Sequence, residues 1–311
     1  MGFKQTARSM LLAVMGPTAS GKSAVAAEIS RRIPSEMIAC DSMQVYRHMP
    51  IVAQTPADTH LAGFLEPDRE YSADEFRKDA DSLIQKIWKN KKIPILTGGT
   101  GLYLRALLDG LFAPEEGMPI KDLKLRDKFL EEVEVHGAEF LHTKLAKVDP
   151  ESAKKIHTND VRRVVRALEI FKLTGKPFSQ QKQNRSGLRA LADCRVFVLE
   201  RERKDLYRRI DARVEKMIEL GLIEEVRTLL KIKLSRTAAG ALGIREIEGF
   251  LKKQTGLKEA VVLLQKNTRN YAKRQLSWFR NDSENILIPV GDKDSVAQIA
   301  DQILNRCKDV I

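Results

Sequence analysis

The sequence predicts an α/β fold, a parallel sheet covered by helices and interrupted by an inserted all-helical domain. Three observations lead there. Short apolar runs alternate with amphipathic helical stretches over the first ~110 residues, the pattern of a parallel sheet built from βαβ units. Two of those runs end in glycine-rich turns that open directly into helical sequence, Gly16 to Ser23 and Thr97 to Gly101. Between Ile120 and about Gln183, by contrast, the pattern is almost wholly helical, with no apolar strand signal.

The first strand is the apolar run Met10 to Met15. It feeds Gly16-Pro17-Thr18-Ala19-Ser20-Gly21-Lys22-Ser23, a complete G-x-x-x-x-G-K-S phosphate loop, and the Ala-rich stretch Ala24 to Ala27 starts the helix that such a loop requires. Its glycines let backbone N–H groups close around phosphate oxygens at a helix N-terminus, Lys22 supplies a point charge, and Ser23 can hold a magnesium ion. The motif predicts a bound diphosphate or triphosphate. It does not specify which, or whether phosphate is transferred.

Met37 to Cys40 reads as a second strand, ending just before Asp41. Ser72-Ala73-Asp74-Glu75 is a capping box opening a helix through Trp88, with Phe76, Leu83, Ile84 and Ile87 on one face. Ile93 to Leu96 is a third strand, followed by the helical pattern Leu102 to Leu111. Pro114 and Pro119 bracket a break, which divides the chain into a core of residues 1–113 and 190–311 and an insertion of residues 114–189. The sheet resumes at Arg195 to Glu200, then comes a long helix from about Lys204 to Lys231 and two further helical segments. The last of these, Leu257 to Phe279, is basic and ends in aromatic residues; Asn285 to Val290 supplies a final strand and Ser295 to Cys307 a closing helix.

Lys plus Arg total 54 against 42 for Asp plus Glu, a net charge of +12 and a pI near 9.5. That balance points to a polyanionic partner, with nucleic acid the leading candidate. Among 311 residues, 43% hydrophobic and 31% charged, no run is long enough to span a bilayer, and a cytoplasmic protein is expected. Cys40, Cys194 and Cys307 show no paired spacing, which suggests neither a disulfide framework nor a zinc site. The start Met1-Gly2-Phe3-Lys4-Gln5-Thr6 matches a myristoylation pattern, and the basic residues before Met10 imitate a signal peptide. Both are read as chance matches, because the short run after them is committed to the first strand.

Ligands of parallel sheets collect at the carboxyl ends of the strands. The phosphate loop, Asp41 and Thr100 are each predicted at such an end. By itself Asp41 is open to three roles: a magnesium ligand, a general base, or a turn cap. Its neighbours narrow the choice. Asp41 to Tyr46, Thr97 to Tyr103, His157 to Arg163 continuing to Glu169, and Thr268 to Arg280, together with the phosphate loop, resemble in order the blocks of the bacterial-type tRNA dimethylallyltransferase (tRNA isopentenyltransferase) family. The resemblance covers nearly the full chain.

It implies a P-loop NTPase-like core and transfer of a dimethylallyl group from its diphosphate to the exocyclic N6 amine of the adenine 3′ of the anticodon. In that reaction Gly16, Pro17, Thr18, Ala19, Ser20, Gly21, Lys22 and Ser23 bind the leaving diphosphate rather than a nucleotide, with Mg2+ near Ser23 as cofactor. Asp41 removes the amine proton, Thr100 positions the base or the diphosphate, and Arg213 reaches the diphosphate. The implied tRNA contacts are Asp41, Ser42, Met43, Gln44, Thr100, Arg126, Asn159, Asp160, Val161, Arg162, Arg163, Lys273, Arg274 and Arg280. Partners are the anticodon stem-loop of tRNA and dimethylallyl diphosphate, with no membrane and no obligate protein partner. Trp278 and Phe279 offer stacking surfaces for extruded bases. Without the resemblance, Arg213 reads as a solvated helix arginine, while Arg162 and Arg166 fit a solvated face as well as RNA contact, and Trp278 and Phe279 fit core as well as a stacking surface.

The chain also departs from the family pattern. Val52-Ala53-Gln54-Thr55-Pro56 replaces a usual glycine-threonine-alanine-lysine-proline run, Thr59-His60 an expected histidine pair, and Leu242-Gly243-Ile244-Arg245 an isoleucine-glycine-tyrosine-lysine segment. These segments are expected along the RNA side, which suggests an altered tRNA set or weakened activity. A small-molecule P-loop kinase and a non-catalytic protein that binds the anticodon arm are the alternatives.

Overall fold

The computed structural model describes residues 9–111, 122–181 and 187–309. Its elements are β1 (Met10–Met15), α1 (Lys22–Arg32), β2 (Ser35–Ala39), α2 (Ala73–Lys89), β3 (Ile93–Gly98) and α3 (Gly101–Leu108). Then come α4 (Leu123–His136), α5 (Ala138–Val148), α6 (Pro150–Lys155), α7 (Val161–Thr174) and α8 (Phe178–Gln181). The remainder is β4 (Asp193–Arg201), α9 (Arg203–Glu219), α10 (Leu222–Leu229), α11 (Ile244–Leu251), α12 (Leu257–Arg280), β5 (Ile286–Val290) and α13 (Val296–Asn305). The chain divides into two compact units, Met1–Leu108 with Leu188–Ile311, and Asp109–Gly187. The N-terminal pattern, Pro114, Pro119, Ile120 and Gln183 lie outside the described residues.

The first unit holds a five-stranded sheet in the order β2-β3-β1-β4-β5, parallel throughout. β1 is central, with Met15 opposite Gly98 of β3 and Met10 opposite Asp193 of β4. A central strand is buried on both faces, so it needs a continuous apolar run, and every residue of β1 is buried. Successive side chains point to opposite faces. Leu11, Ala13 and Met15 join a core with Phe76 and Ile84 of α2, Leu104 and Leu107 of α3, Val214 of α9 and Leu264 of α12. Leu12 and Val14 pack with Val25 and Ile29 of α1 and Ile299 and Ile303 of α13. Each such side chain, taken fully out of water, contributes roughly 1.5–3 kcal/mol.

The capping box of α2 forms as its sequence requires: Ser72 Oγ accepts from Glu75 N–H at 3.2 Å and Glu75 Oε2 accepts from Ser72 N–H at 2.8 Å. The long helix expected over 204–231 is instead two, α9 and α10, broken at Gly221, which adopts a left-handed conformation with φ 100°. Val214, Met217, Leu222, Val226 and Leu229 are all buried at near-helical spacing on both sides of the break, so the periodicity conceals it. α3 stops at Leu108 rather than Leu111, and α13 begins after the cap Ser295 and ends at Asn305.

The second unit is helical. Phe129 of α4, Leu141 and Leu145 of α5, and Val164, Val165 and Leu168 of α7 form its core. At its centre Glu169 is completely buried, its carboxylate held by Arg126 and Arg166. No helix among the described residues is long and apolar enough to cross a membrane. Because a Cβ at Gly221 meets no atom within 4 Å, a substitution there reads out backbone conformation alone. Gly221→Ala should therefore destabilise the first unit by about 1–2 kcal/mol, measurable as a lowered urea midpoint.

Candidate active site

Three loops leave the carboxyl edge of the sheet side by side. The phosphate loop follows β1, Gly99 and Thr100 follow β3, and Asp41 lies two residues beyond β2. β1 sends its chain towards β2 on one side, whereas the chain leaving β3 returns as β4 on the other, so the crevice between them is a topological switch point. Cys40 N–H donates to Thr97 O at 2.8 Å and Thr100 N–H to Cys40 O at 3.2 Å, which carries the β2–β3 pairing past the strand ends and presents Asp41 at the rim. A cavity of about 670 Å³ opens there, lined by residues from Thr18 to Gln275, all within the first unit.

One end of the cavity is cationic. Lys22, Arg209 and Arg213 line it beside Ser23. Burial pushes the Lys22 ammonium down to about 8, with the Asp41 charge opposing and Arg213 adding to the shift. Arg213 is lowered by burial and then by Arg209, and Arg209 by burial and then by Arg201. The cations are arranged around the loop itself. Arg213 Nη1 donates to Thr18 Oγ1 at 3.0 Å, Arg209 Nε to Ala19 O at 3.0 Å, Arg201 Nε to Ser20 O at 2.8 Å, and Lys22 Nζ to Pro17 O at 3.2 Å. Arg201 is itself fixed by a buried pair with Asp205 at 2.9 Å. Lys22 is buried and Arg213 half-buried, while Arg209 is exposed; like charges crowded away from water raise the energy of a site until an anion enters it.

Among the described residues, Asp41 is the only carboxylate lining the cavity. Its Oδ1 accepts from Met43 N–H at 3.0 Å. Thr100 is absent from the lining; its Oγ1 accepts from Ser42 N–H at 2.9 Å and donates to Ser42 Oγ at 3.3 Å, so it orients the residue beside Asp41. Tyr271 of α12 lines the cavity, and burial first, then the nearby Asp41 charge, hold its phenol in the neutral form. The opposite character appears in Val52, Ala53, Val214, Met217, Leu242 and Leu264, which supply an apolar wall. Val52, Ala53, Gln54, Pro56 and Leu242, expected along the RNA side, thus belong to the same cavity as the phosphate loop.

The profile of the IPP transferase family matches residues 44–282. The chain belongs to this family. A tRNA dimethylallyltransferase from Halothermothrix orenii is 41% identical over 288 residues, 89% of this chain and 86% of its own length. The crystal structure of the full-length tRNA isopentenylpyrophosphate transferase from Bacillus halodurans is 34% identical with a TM-score of 0.67, covering 97% of this chain and 98% of that one. A eukaryotic dimethylallyltransferase captured acting on tRNA is 26% identical with a TM-score of 0.80, covering 97% of this chain and 79% of that one. The profile match to the IPP transferase family begins after the phosphate loop and Asp41, so those two features stand on their own geometry.

The tRNA-contact expectations for this IPP transferase separate into several groups. Ser42, Met43 and Gln44 line the cavity with Asp41. Lys273 and Arg274 are exposed on α12 and, with Asn270, Ser277, Trp278 and Asn281, form an open groove of about 460 Å³. Arg280 is paired with Glu200, its Nε donating at 2.7 Å. Phe279 is completely buried and is core, not a stacking surface, while the Trp278 ring packs against Gly101 and carries the Arg105 guanidinium 4.4 Å from its centre.

In the helical unit, Asp160 caps α7, and Asn159, Arg162 and Arg163 are exposed, with Val161 half-buried, at that helix start. Arg126 makes a two-pronged contact with buried Glu169, at 2.8 and 2.9 Å.

Sequence reasoning passed over Arg209, Gln275 and Glu225. Arg209 carries a usable signal, since it stands four residues before Arg213 on one helix face. Gln275 and Glu225 carry none, because their partners lie far along the chain, at Thr18 and Gly99 and at Ile51 and Val52.

Lys22 must be protonated to attract a diphosphate. Below about 8 its desolvated charge costs stability, and an anion removes that cost. Affinity for inorganic diphosphate, measured by calorimetry, should be full below pH 8 and fall as pH rises through it, approaching tenfold per unit. Lys22→Met should bind weakly at every pH without that decline. Arg126→Ala should destabilise the helical unit by about 1–3 kcal/mol in thermal unfolding without RNA, because it strips one partner from a buried carboxylate.

Proposed function

We propose that the cavity seats dimethylallyl diphosphate with its diphosphate against Lys22, Arg209, Arg213 and the phosphate loop and its hydrocarbon against the apolar wall. As a member of its family the chain transfers a dimethylallyl group to tRNA. The acceptor in this reading is the N6 amine of the adenine 3′ of the anticodon, extruded from its stack to reach Asp41. The observation that carries it is the combination in one cavity of desolvated cations, an apolar wall and a single carboxylate.

The adenine nitrogen attacks the allylic carbon while the carbon–oxygen bond breaks and its electron pair leaves on the diphosphate. Lys22, Arg209, Arg213 and the loop N–H groups face the charge that develops on that leaving group. Asp41 takes the proton released from N6, and Tyr271 and Ser42 bound the space beside it.

Ser23 is exposed and lines the cavity next to Lys22, and no group of three or more metal-ligating side chains exists among the described residues. That donor set fits magnesium, which is commonly held by few protein ligands and by phosphate oxygens; bound by Ser23 with Asp41 nearby, it would neutralise diphosphate charge. The exposed Lys273, Arg274, Arg162 and Arg163 suit the RNA backbone.

Incubation with dimethylallyl diphosphate, magnesium and an anticodon stem-loop RNA should yield prenylated adenine. Asp41→Ala should bind the RNA normally in a filter assay yet lose about 10²- to 10⁴-fold in kcat, the usual contribution of a general base. Unchanged turnover would remove Asp41 from that role.

A further inference from the structure

The apolar wall is held in place from behind by one carboxylate. Glu225 of α10 accepts hydrogen bonds from Ile51 N–H, at 2.9 Å to Oε2 and 3.1 Å to Oε1, and from Val52 N–H at 2.7 Å to Oε1. It lies outside the cavity lining, whereas Val52 and Ala53 are within it. Burial raises the Glu225 carboxyl above the ordinary range, and the two N–H groups pull the other way, so the charged form depends on the contact with this loop. Gln44 Nε2 donates to Gln54 O at 3.0 Å and Gln54 Nε2 to Ile51 O at 2.8 Å, closing the same turn.

Valine is stiff about χ1 and alanine has no side-chain torsion, so neither can adapt its shape to a substrate. Where this wall stands is therefore set by the backbone of Ile51 and Val52, and that backbone is set by Glu225.

We propose that Glu225 is a positioning residue that fixes the depth of the hydrocarbon pocket and thereby selects a five-carbon allylic donor over longer ones. This rests on the cavity being the donor site. Loss of the charge-assisted bonds lets the loop at 51–53 relax outward, which loosens the fit of the short chain and makes room for a longer one.

The test uses the full chain with anticodon stem-loop RNA and two donors, dimethylallyl and geranyl diphosphate, plus inorganic diphosphate binding by calorimetry. Glu225→Gln keeps the shape but removes the charge and, even with its carbonyl in the Oε1 position, sets an amide NH2 against the Ile51 N–H in place of Oε2. It should raise KM for dimethylallyl diphosphate about tenfold, the scale of a lost charge-assisted contact, and shift the geranyl-to-dimethylallyl kcat/KM ratio upward by a similar factor. Inorganic diphosphate, which senses only the cationic end, should bind it as it binds the wild type.

Val52→Ala leaves the Glu225 contact intact and should shift the donor ratio in the same direction if this wall sets donor length; should Glu225→Gln not fold, Glu225→Asp, which keeps the charge but shortens its reach to the Ile51 and Val52 N–H groups, decides the matter. Wild-type KM and donor ratio in the folded variants overturn the proposal. Failure of the wild type to bind inorganic diphosphate overturns the donor-site reading beneath it.

Discussion

The carboxamide of Gln275 joins the two glycine turns on which the site is built. Its Oε1 accepts from Thr18 N–H at 2.9 Å in the phosphate loop, and its Nε2 donates to Gly99 O at 2.9 Å in the turn after β3. Thr18 offers only a donor and Gly99 only an acceptor at these contacts, so the amide has a single orientation that satisfies both. The approach is close enough that a Cβ on Gly99 would fall 2.1 Å from Nε2. With this one buried side chain, α12 is docked across the sheet edge, and Tyr271, Arg274 and Leu264 on the same helix take their places along the cavity. The bond to Gly99 is buried and that to Thr18 partly so, and breaking the buried one leaves an unpaired polar group as well as a loosened loop.

The electrostatics of the site come from a second set of contacts to the same phosphate loop. Three arginines from β4 and α9 grip consecutive residues of the phosphate loop from outside, at Thr18, Ala19 and Ser20. Two of them, Arg209 and Arg213, also line the cavity with Lys22. The loop is thus shaped by the groups that meet the ligand's charge, and shape and field are not separable there.

What could be read from the sequence was local. The phosphate loop between β1 and α1, the Ser72 capping box and the position of Asp41 past β2 are each determined by residues within a few places of one another, and each was placed correctly. Gly221 was missed as a helix break because apolar spacing persists across it, and Phe279 looked available because helix position alone does not say which face is covered. Gln275 and Glu225 act on segments 257 and 174 residues away, respectively, and such pairings exist only once the helices are packed. Val52 and Leu242 marked departures from a family pattern in the sequence, but only the fold brings them together, on the wall of one cavity.

In the proposed reaction, the cation cluster that favours departure of a diphosphate keeps its hold once the bond is broken. In that reaction the leaving group is a small polyanion facing buried Lys22, half-buried Arg213 and the more exposed Arg209. Emptying the cavity restores the repulsion among them, so the last step of each cycle runs uphill in electrostatic terms. On the proposed reaction, product escape becomes a step that the site itself opposes, and scarcity of free diphosphate in the surrounding solution favours it.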